Sequence, residues 1–388
     1  MAYTLTPVNT ICPRSRRKNR AEAPPSPLTG TTPLCYAGND TDGGTGGMAM
    51  RGLYGRKGFD IQLRDRGEVP LTGRMVRLRV KACGVCGTDL HFLRQMDDYT
   101  PMGHEISAIV EETGPEVTRV KPGDSVICED SSPCGACPAC KSGQTRLCRS
   151  GYTLQGQPGM SDRLVVHENM LNAFEGIDPV TASLVEPLAV AIRGVRKLGL
   201  PPLGSLAVFG MGTIGLFSAA YARAMGAGRI AMVARRRESL RNQATAAAAL
   251  ALGADEVYYT EDGDSCIRDM LKRGPFDGAI VAAPPAVCET ALRVVSYGGN
   301  VLAQGVTFSG DGTATLNISE MIFEKKQLLT SLAEPAQNFP LSIELIRSGR
   351  IDAGRVITHR RPLSEARQLA SLYGQDSPVI KTVILCDE

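Results

Sequence analysis

An apolar run, SLAVF, leads straight into Gly210-Met211-Gly212-Thr213-Ile214-Gly215 and then into a helix-forming stretch, TIGLFSAAYARAMGA. Few local patterns limit a fold so tightly. The first glycine makes a tight turn, the second lets backbone approach a pyrophosphate, and the third lets helix and strand pack closely. A phosphate then rests on the free N–H groups and positive dipole end of the helix. The rhythm continues with RIAMVA, an alanine-rich helix ending at LGAD, and the strands DGAIVAA and NVLAQG. Strands alternating with helices predict an α/β fold with a doubly wound parallel sheet covered on both faces. Gly210, Gly212, Thr213, Ile214 and Gly215 are therefore the expected dinucleotide-binding residues.

The end of the second strand decides which dinucleotide fits. A carboxylate there would bond the adenosine ribose of NAD, whereas an arginine suits the 2′-phosphate of NADP. Ala234 holds that position, followed by Arg235, Arg236 and Arg237. With no carboxylate to repel a phosphate and guanidiniums able to meet it bidentately, NADP(H) is expected over NAD(H). The plainer alternative is a solvated helix entrance.

The other half of the chain has a different texture. From Met50 to about residue 175, short apolar runs such as MVRLRVKACG, EISAIVEETG and DSVICED are broken by Gly, Pro and Asp, which predicts strands. With 388 residues the chain has room for two domains. Its net charge of +3 is too small to make nucleic acid or a membrane surface the main partner. No apolar run reaches the length of a membrane span and no signal-peptide core opens the chain, so a cytoplasmic, reducing setting is expected.

In that setting twelve cysteines point to metal or catalysis before disulfides. Cys134, Cys137, Cys140 and Cys148 form CxxCxxCx7C in a Gly/Pro/Ser/Lys-rich loop, a pattern that wraps one tetrahedral structural zinc. An iron–sulfur cluster is the competing metal. A second group is more scattered: Cys86 in GVCGTDLH, His104 in GHE, and Glu186 in VEP. A thiolate, an imidazole and a carboxylate make an open zinc site with one exchangeable position.

GVCGTDLH, GHE, CxxCxxCx7C, VEP and GxGxxG, in this order, resemble the zinc-containing medium-chain dehydrogenases/reductases over essentially Met50 to Asp387. The resemblance implies a GroES-like, mostly-β catalytic domain over 48–190, completed by 342–388, around a Rossmann domain over 191–341. It implies two Zn2+ per chain. Cys86, His104 and Glu186 match the catalytic ligands. Glu105 matches the carboxylate behind the metal that exchanges with water as a ligand. Asp89 matches the partner that orients the zinc-bound histidine. Thr88 and His91 match the hydroxyl and imidazole that relay the substrate proton. Glu186-Pro187, where classical alcohol dehydrogenases carry cysteine, resembles the sorbitol and threonine dehydrogenase branch. The expected substrates are small secondary alcohols or ketones of polyols, cyclitols, sugars or amino alcohols. The resemblance also implies a homodimer or homotetramer built through the Rossmann sheet edge.

Two features stand apart. The span from Cys86 to His104 is short for such a family, which trims the loop lining the substrate cleft. Residues 1–47, with a basic knot and no periodicity, read as a disordered or non-native extension. Outside the expected NADP-dependent activity, the alternatives are an NAD-dependent enzyme of the same branch or a non-catalytic dinucleotide-binding protein, whose signature would be a broken catalytic zinc site.

Overall fold

Strand Met75–Gly84 alternates buried Val76, Leu78 and Val80 with more exposed Arg77, Arg79 and Lys81, so one face joins a core and the other meets solvent. The computed structural model describes residues 50–307, 312–332, 335–374 and 376–387, and the expected extension at 1–47 lies outside them. Met75–Gly84 is the centre of the first sheet. One side pairs antiparallel with Glu105–Thr113. The other pairs with Arg163–His167 over its first half and with Lys381–Leu385 over its second. Strand Lys381–Leu385 is in turn parallel to Ile357–Pro362, so the end of the chain is built into the sheet formed by its beginning. The hairpin Met50–Arg56/Asp60–Arg66 makes a smaller sheet and pairs with Thr100–Pro101 just ahead of His104.

The second half is the expected parallel sheet. In chain order its strands are Ser205–Phe209, Arg229–Ala234, Glu256–Tyr259, Phe276–Val281, Val295–Ala303 and Gln327–Thr330. Across the sheet they run third, second, first, fourth, fifth, sixth, and every pairing is parallel. That order places the switch point at the carboxyl ends of the first and fourth strands, where such sheets bind dinucleotides. The strands Glu256–Tyr259 and Gln327–Thr330 were not distinguishable in the sequence; both are short and none of their residues is fully buried.

Helix Val185–Leu198 joins the two halves. It buries eleven of its fourteen residues and packs against helices Thr213–Ala224 and Phe339–Arg347. It runs unbroken across residue 190, so the halves are connected by a rigid rod ending in the left-handed Gly199. No helix among the described residues is long and apolar enough to cross a membrane.

Candidate active site

The glycine turn does what its spacing predicts. A Cβ on Gly210 would fall 2.5 Å from the Ala282 carbonyl oxygen, and one on Gly215 would fall 1.9 Å from the Gly210 carbonyl oxygen. These two glycines pack backbone against backbone. A Cβ on Gly212 would meet nothing within 4 Å. Gly212 is the N-cap of helix Thr213–Ala224, so the open space lies over free N–H groups, a cradle that fits a pyrophosphate. Thr213 and Ile214 open that helix.

Ala234 ends the second strand, and the exposed Arg235 and Arg236 line a cavity of about 550 Å³ with Glu238, Ser239, Asn242, Glu261 and Asp376. Two of the three acids are already engaged. Asp376 accepts hydrogen bonds from the Ser239 hydroxyl and Leu240 N–H, and Glu261 accepts from Arg237 N–H. The sequence grouped three arginines, but Arg237 pairs with Asp262 at 2.8 Å and stacks over Tyr259. Among the described residues Arg235 and Arg236 form no ion pair, so two guanidiniums face the cavity uncommitted.

The cysteine lobe comes next. From Pro133 to Ser150 no residue is fully buried, so this loop has no apolar core of its own. Its four sulfurs gather instead. Cys137 and Cys140 are 3.5 Å apart, Cys134 and Cys148 3.6 Å, and Cys134 and Cys140 4.0 Å. Four sulfurs bound at about 2.3 Å to one tetrahedral ion would be separated by roughly 3.8 Å. The donor atoms all lie within 4.8 Å of one another, a cage for a single ion and too tight for a multi-iron cluster. Backbone N–H groups of Ala136 and Cys137 pull the Cys134 thiol down to about 6, while desolvation and the Cys137 sulfur push Cys140 up to about 12. A shared cation would relieve that conflict.

The second cluster is assembled by the first sheet and two helix starts. Cys86 is the N-cap of helix Gly87–Gln95. Asp89 accepts the Cys86 N–H at 2.8 Å with one carboxylate oxygen and the Gly103 N–H at 2.8 Å with the other. It therefore clamps the backbone on both sides of the site, and its charge reaches His104 through space. Cys86, His104 and Glu105 bring donor atoms within 4.8 Å of one another. Burial opposes a charge on His104, but the Cys86 sulfur and the Asp89 and Glu186 carboxylates overrule it and hold the imidazole well above its usual range. Thr88 lies 3.8 Å from the Cys86 sulfur. His91 is on the same helix face one turn on, half-buried, with burial lowering its pKa.

Glu186 stands outside the tight triad, in the first turn of helix Val185–Leu198. It is 4% exposed and makes no hydrogen bond among the described residues. Burial, with Glu105 and Asp130 nearby, pushes it up to about 8 against the pull of His104 and Lys381. A buried carboxyl that His104 and Lys381 only partly compensate, with a thiol and an imidazole in the same cluster, is a donor set that fits zinc.

Lys381 was not visible as a site residue in the sequence. Its ammonium donates to Glu105 Oε1 at 2.6 Å, Glu105 Oε2 at 2.7 Å and the Val85 carbonyl at 3.0 Å, which satisfies all three of its N–H bonds. Lys381 is 2% exposed and Glu105 1%. Gly84 leaves the room, since a Cβ there would fall 1.9 Å from Glu105 Oε2. The only signal was a lysine inside an apolar strand, VIKTVIL.

Replacing one partner of this pair strands a buried charge. Lys381→Met should cost about 3–5 kcal/mol in denaturant unfolding, and Glu105→Gln combined with Lys381→Met should recover much of it. Although burial disfavours the ammonium, Glu105 and Cys86 raise its pKa above the usual lysine value. Its contribution is thus complete below the unfolded-state pKa of about 10.4 and is lost only as pH rises through the folded value. The penalty of Lys381→Met should stay constant between about pH 6 and 9. A loss under about 1 kcal/mol would contradict the pairing.

Residues 73–175 match the family described as the alcohol dehydrogenase GroES-like domain, and residues 213–348 the family described as zinc-binding dehydrogenase. The chain is 31% identical over 309 residues to L-idonate 5-dehydrogenase of Vitis vinifera, covering 75% of this chain and 81% of that protein. It is 29% identical over 307 residues to sorbitol dehydrogenase of Bacillus subtilis, covering 75% and 84%. The fold matches an alcohol dehydrogenase from Thermus sp. ATN1 with a TM-score of 0.76 and 24% identity, over 87% of this chain and 99% of that one. A parallel sheet behind a glycine turn, an N-terminal sheet closed by the C-terminal strand, and this sequence likeness together make the chain a member of the zinc-containing medium-chain dehydrogenase/reductase family, in its sorbitol dehydrogenase-like branch.

Proposed function

We propose that this chain is a zinc-dependent oxidoreductase moving a hydride between NADP(H) and a secondary alcohol or ketone of a polyol, cyclitol, sugar or amino alcohol. Glu186 carries the reading: a buried carboxyl whose charge acts on His104, which shares a tight donor cluster with Cys86. Glu105 is held by Lys381, which leaves Cys86, His104 and Glu186 as the catalytic ligands and Glu105 as the carboxylate behind them. With the four-cysteine lobe this makes two zinc ions per chain. When bound, the catalytic ion lowers the pKa of a substrate hydroxyl and the nicotinamide takes up the hydride.

The protein's own groups do the rest. Thr88 and His91 form the path by which the hydroxyl proton leaves toward solvent. A histidine whose pKa is lowered by burial is neutral near pH 7 and can accept that proton. Asp89 fixes the Cys86 and Gly103 backbones, so the ligand loops keep their spacing. Gly212 leaves space for the pyrophosphate, and Arg235 and Arg236 meet the 2′-phosphate beside Ala234. The names of the relatives, L-idonate 5-dehydrogenase and sorbitol dehydrogenase, support a polyhydroxylated substrate.

A panel of hexitols, cyclitols, aldonates and amino alcohols, assayed with NADP and with NAD, tests this reading. Turnover with NADP should exceed that with NAD by about tenfold or more, and Arg235→Ala should erase about tenfold of the preference. Cys86→Ala or His104→Ala should abolish turnover. A preference for NAD contradicts the cofactor assignment; full activity in Cys86→Ala contradicts the zinc site.

We also propose a homo-oligomer, a dimer or tetramer, joined through the outer strand Gln327–Thr330. That strand pairs on one side only among the described residues, and Ile318, Ile322 and Phe323 beside it are 58%, 70% and 80% exposed. Light scattering should give a multiple of the 41.3 kDa chain mass; a monomer at micromolar concentration contradicts this.

A further inference from the structure

Helix Leu240–Ala251, which follows the second strand of the parallel sheet, begins without a cap of its own. Ser239 holds the N-cap position, but its hydroxyl accepts nothing from the first turn. It donates instead to Asp376 at 2.9 Å. Asp376 also accepts the Leu240 N–H at 3.0 Å and, at the long distance of 3.5 Å, the Arg241 N–H. A capping carboxylate ordinarily sits just ahead of its own helix. Here it comes from the C-terminal segment, 136 residues on from Leu240.

Asp376 is fastened to the catalytic half on both sides. Three residues before it, the Tyr373 hydroxyl donates to the Thr382 hydroxyl at 2.9 Å. Three residues after it, Val379 is buried, and Lys381 then enters the pair with Glu105. The carboxylate thus joins the catalytic half to the coenzyme-binding half.

It does so where an anion is expected. Asp376 lines the cavity beside Ala234 together with Arg235 and Arg236, which form no ion pair among the described residues. A hydroxyl, two backbone N–H groups and the positive end of a helix are the donors that receive a phosphate oxygen, and a carboxylate already has them. The Leu240 N–H and the Ser239 hydroxyl hold the Asp376 pKa below the usual carboxylate range, so it is charged at neutral pH. The other acids of the cavity are placed differently. Glu261 is turned to the Arg237 N–H, and Glu238 is exposed.

A phosphate monoester carries roughly −1.5 to −2 charge near pH 7. It reaches the two arginines only against the Asp376 carboxylate, whereas an unphosphorylated ribose meets no such conflict. We infer that Asp376 is a specificity-determining residue for the coenzyme: it occupies donors that a 2′-phosphate would use, so NADP(H) displaces it from helix Leu240–Ala251 while NAD(H) leaves it in place. The inference deepens the NADP(H) reading above and takes the location of the phosphate from it. The preference for NADP(H) is then smaller than two free arginines alone would give. Phosphate binding also parts a contact between the halves, on the segment that leads to Lys381.

Calorimetric titration of the full-length, zinc-loaded protein with adenosine 2′,5′-bisphosphate and with 5′-AMP tests this without turnover. Asp376→Asn and Asp376→Ala should each bind the bisphosphate about tenfold more tightly than the parent protein. Affinity for 5′-AMP should change less than about twofold, which also shows that the coenzyme half of each variant is folded. The ratio of kcat/KM with NADP to that with NAD should rise by the same factor as the bisphosphate affinity. Glu238→Gln removes an equal charge from the same cavity but frees no donor, and should raise bisphosphate affinity less than about threefold. Bisphosphate affinity that is unchanged or weaker in the two Asp376 variants overturns the inference. An equal gain in Glu238→Gln overturns it too, because net charge alone would then explain the effect. A parent protein that binds 5′-AMP as tightly as the bisphosphate defeats the NADP(H) reading instead; the change from parent to variant still decides the role of Asp376.

Discussion

The buried pair of Lys381 and Glu105 is the constraint on which the rest of the site depends. The two residues are 276 positions apart and almost inaccessible to water. Desolvating two such charges costs several kcal/mol each, recovered only when geometry and hydrogen bonding are nearly complete. Here the lysine uses all three donors and the carboxylate both oxygens. The pair ties the C-terminal strand to the strand that begins at Glu105, next to His104, across the central strand Met75–Gly84. It also sets the electrostatics. With Glu105 paired to Lys381 and Asp89 turned to the Cys86 and Gly103 N–H groups, Cys86 and Glu186 are the acidic groups left to meet a cation beside His104. A divalent cation would balance those two, and a neutral histidine would complete the set.

The scaffold brings these groups together from distant stretches of chain. Cys86 and Glu186 stand at the starts of two helices, and His104 at the start of a strand. Helix Val185–Leu198 is at once the carrier of the proposed ligand Glu186, the rod between the halves and a wall of an arginine-lined cavity beside the cysteine lobe. Movement of that helix would disturb all three. The cysteine lobe, lacking buried side chains, is held by its sulfurs and by contacts such as Gln337 to Thr145. One zinc is therefore expected to hold this loop together while the other does chemistry.

Much of this was legible in the sequence because the relevant signals are local. The glycine turn, the CxxCxxCx7C loop and the alternating strand Met75–Gly84 each state their geometry within a dozen or so residues, and the structure places them as read. Signals that depend on distant partners were not legible. Lys381 looked like one polar residue in an apolar strand, and only the fold reveals the carboxylate opposite it. Arg237 looked equivalent to Arg235 and Arg236, but Asp262 and Tyr259, a strand away, claim it. Asp89 was expected beside the histidine and was found bonding two backbone N–H groups, a capping role its position three residues after Cys86 already allowed. The arginine-lined cavity beside the lobe joins residues from the lobe, a helix and a later turn, which no linear pattern could group.

The claim that matters most is that two chemically different zinc sites exist, one all-sulfur and one mixed. X-ray absorption at the zinc edge of the fully loaded protein measures this directly. Sites of four sulfurs and of one sulfur with nitrogen and oxygen should average about 2.5 sulfurs per zinc, with sulfur near 2.3 Å and lighter ligands near 2.0–2.1 Å. An average near four sulfurs, from metal in the cysteine lobe alone, would contradict the account.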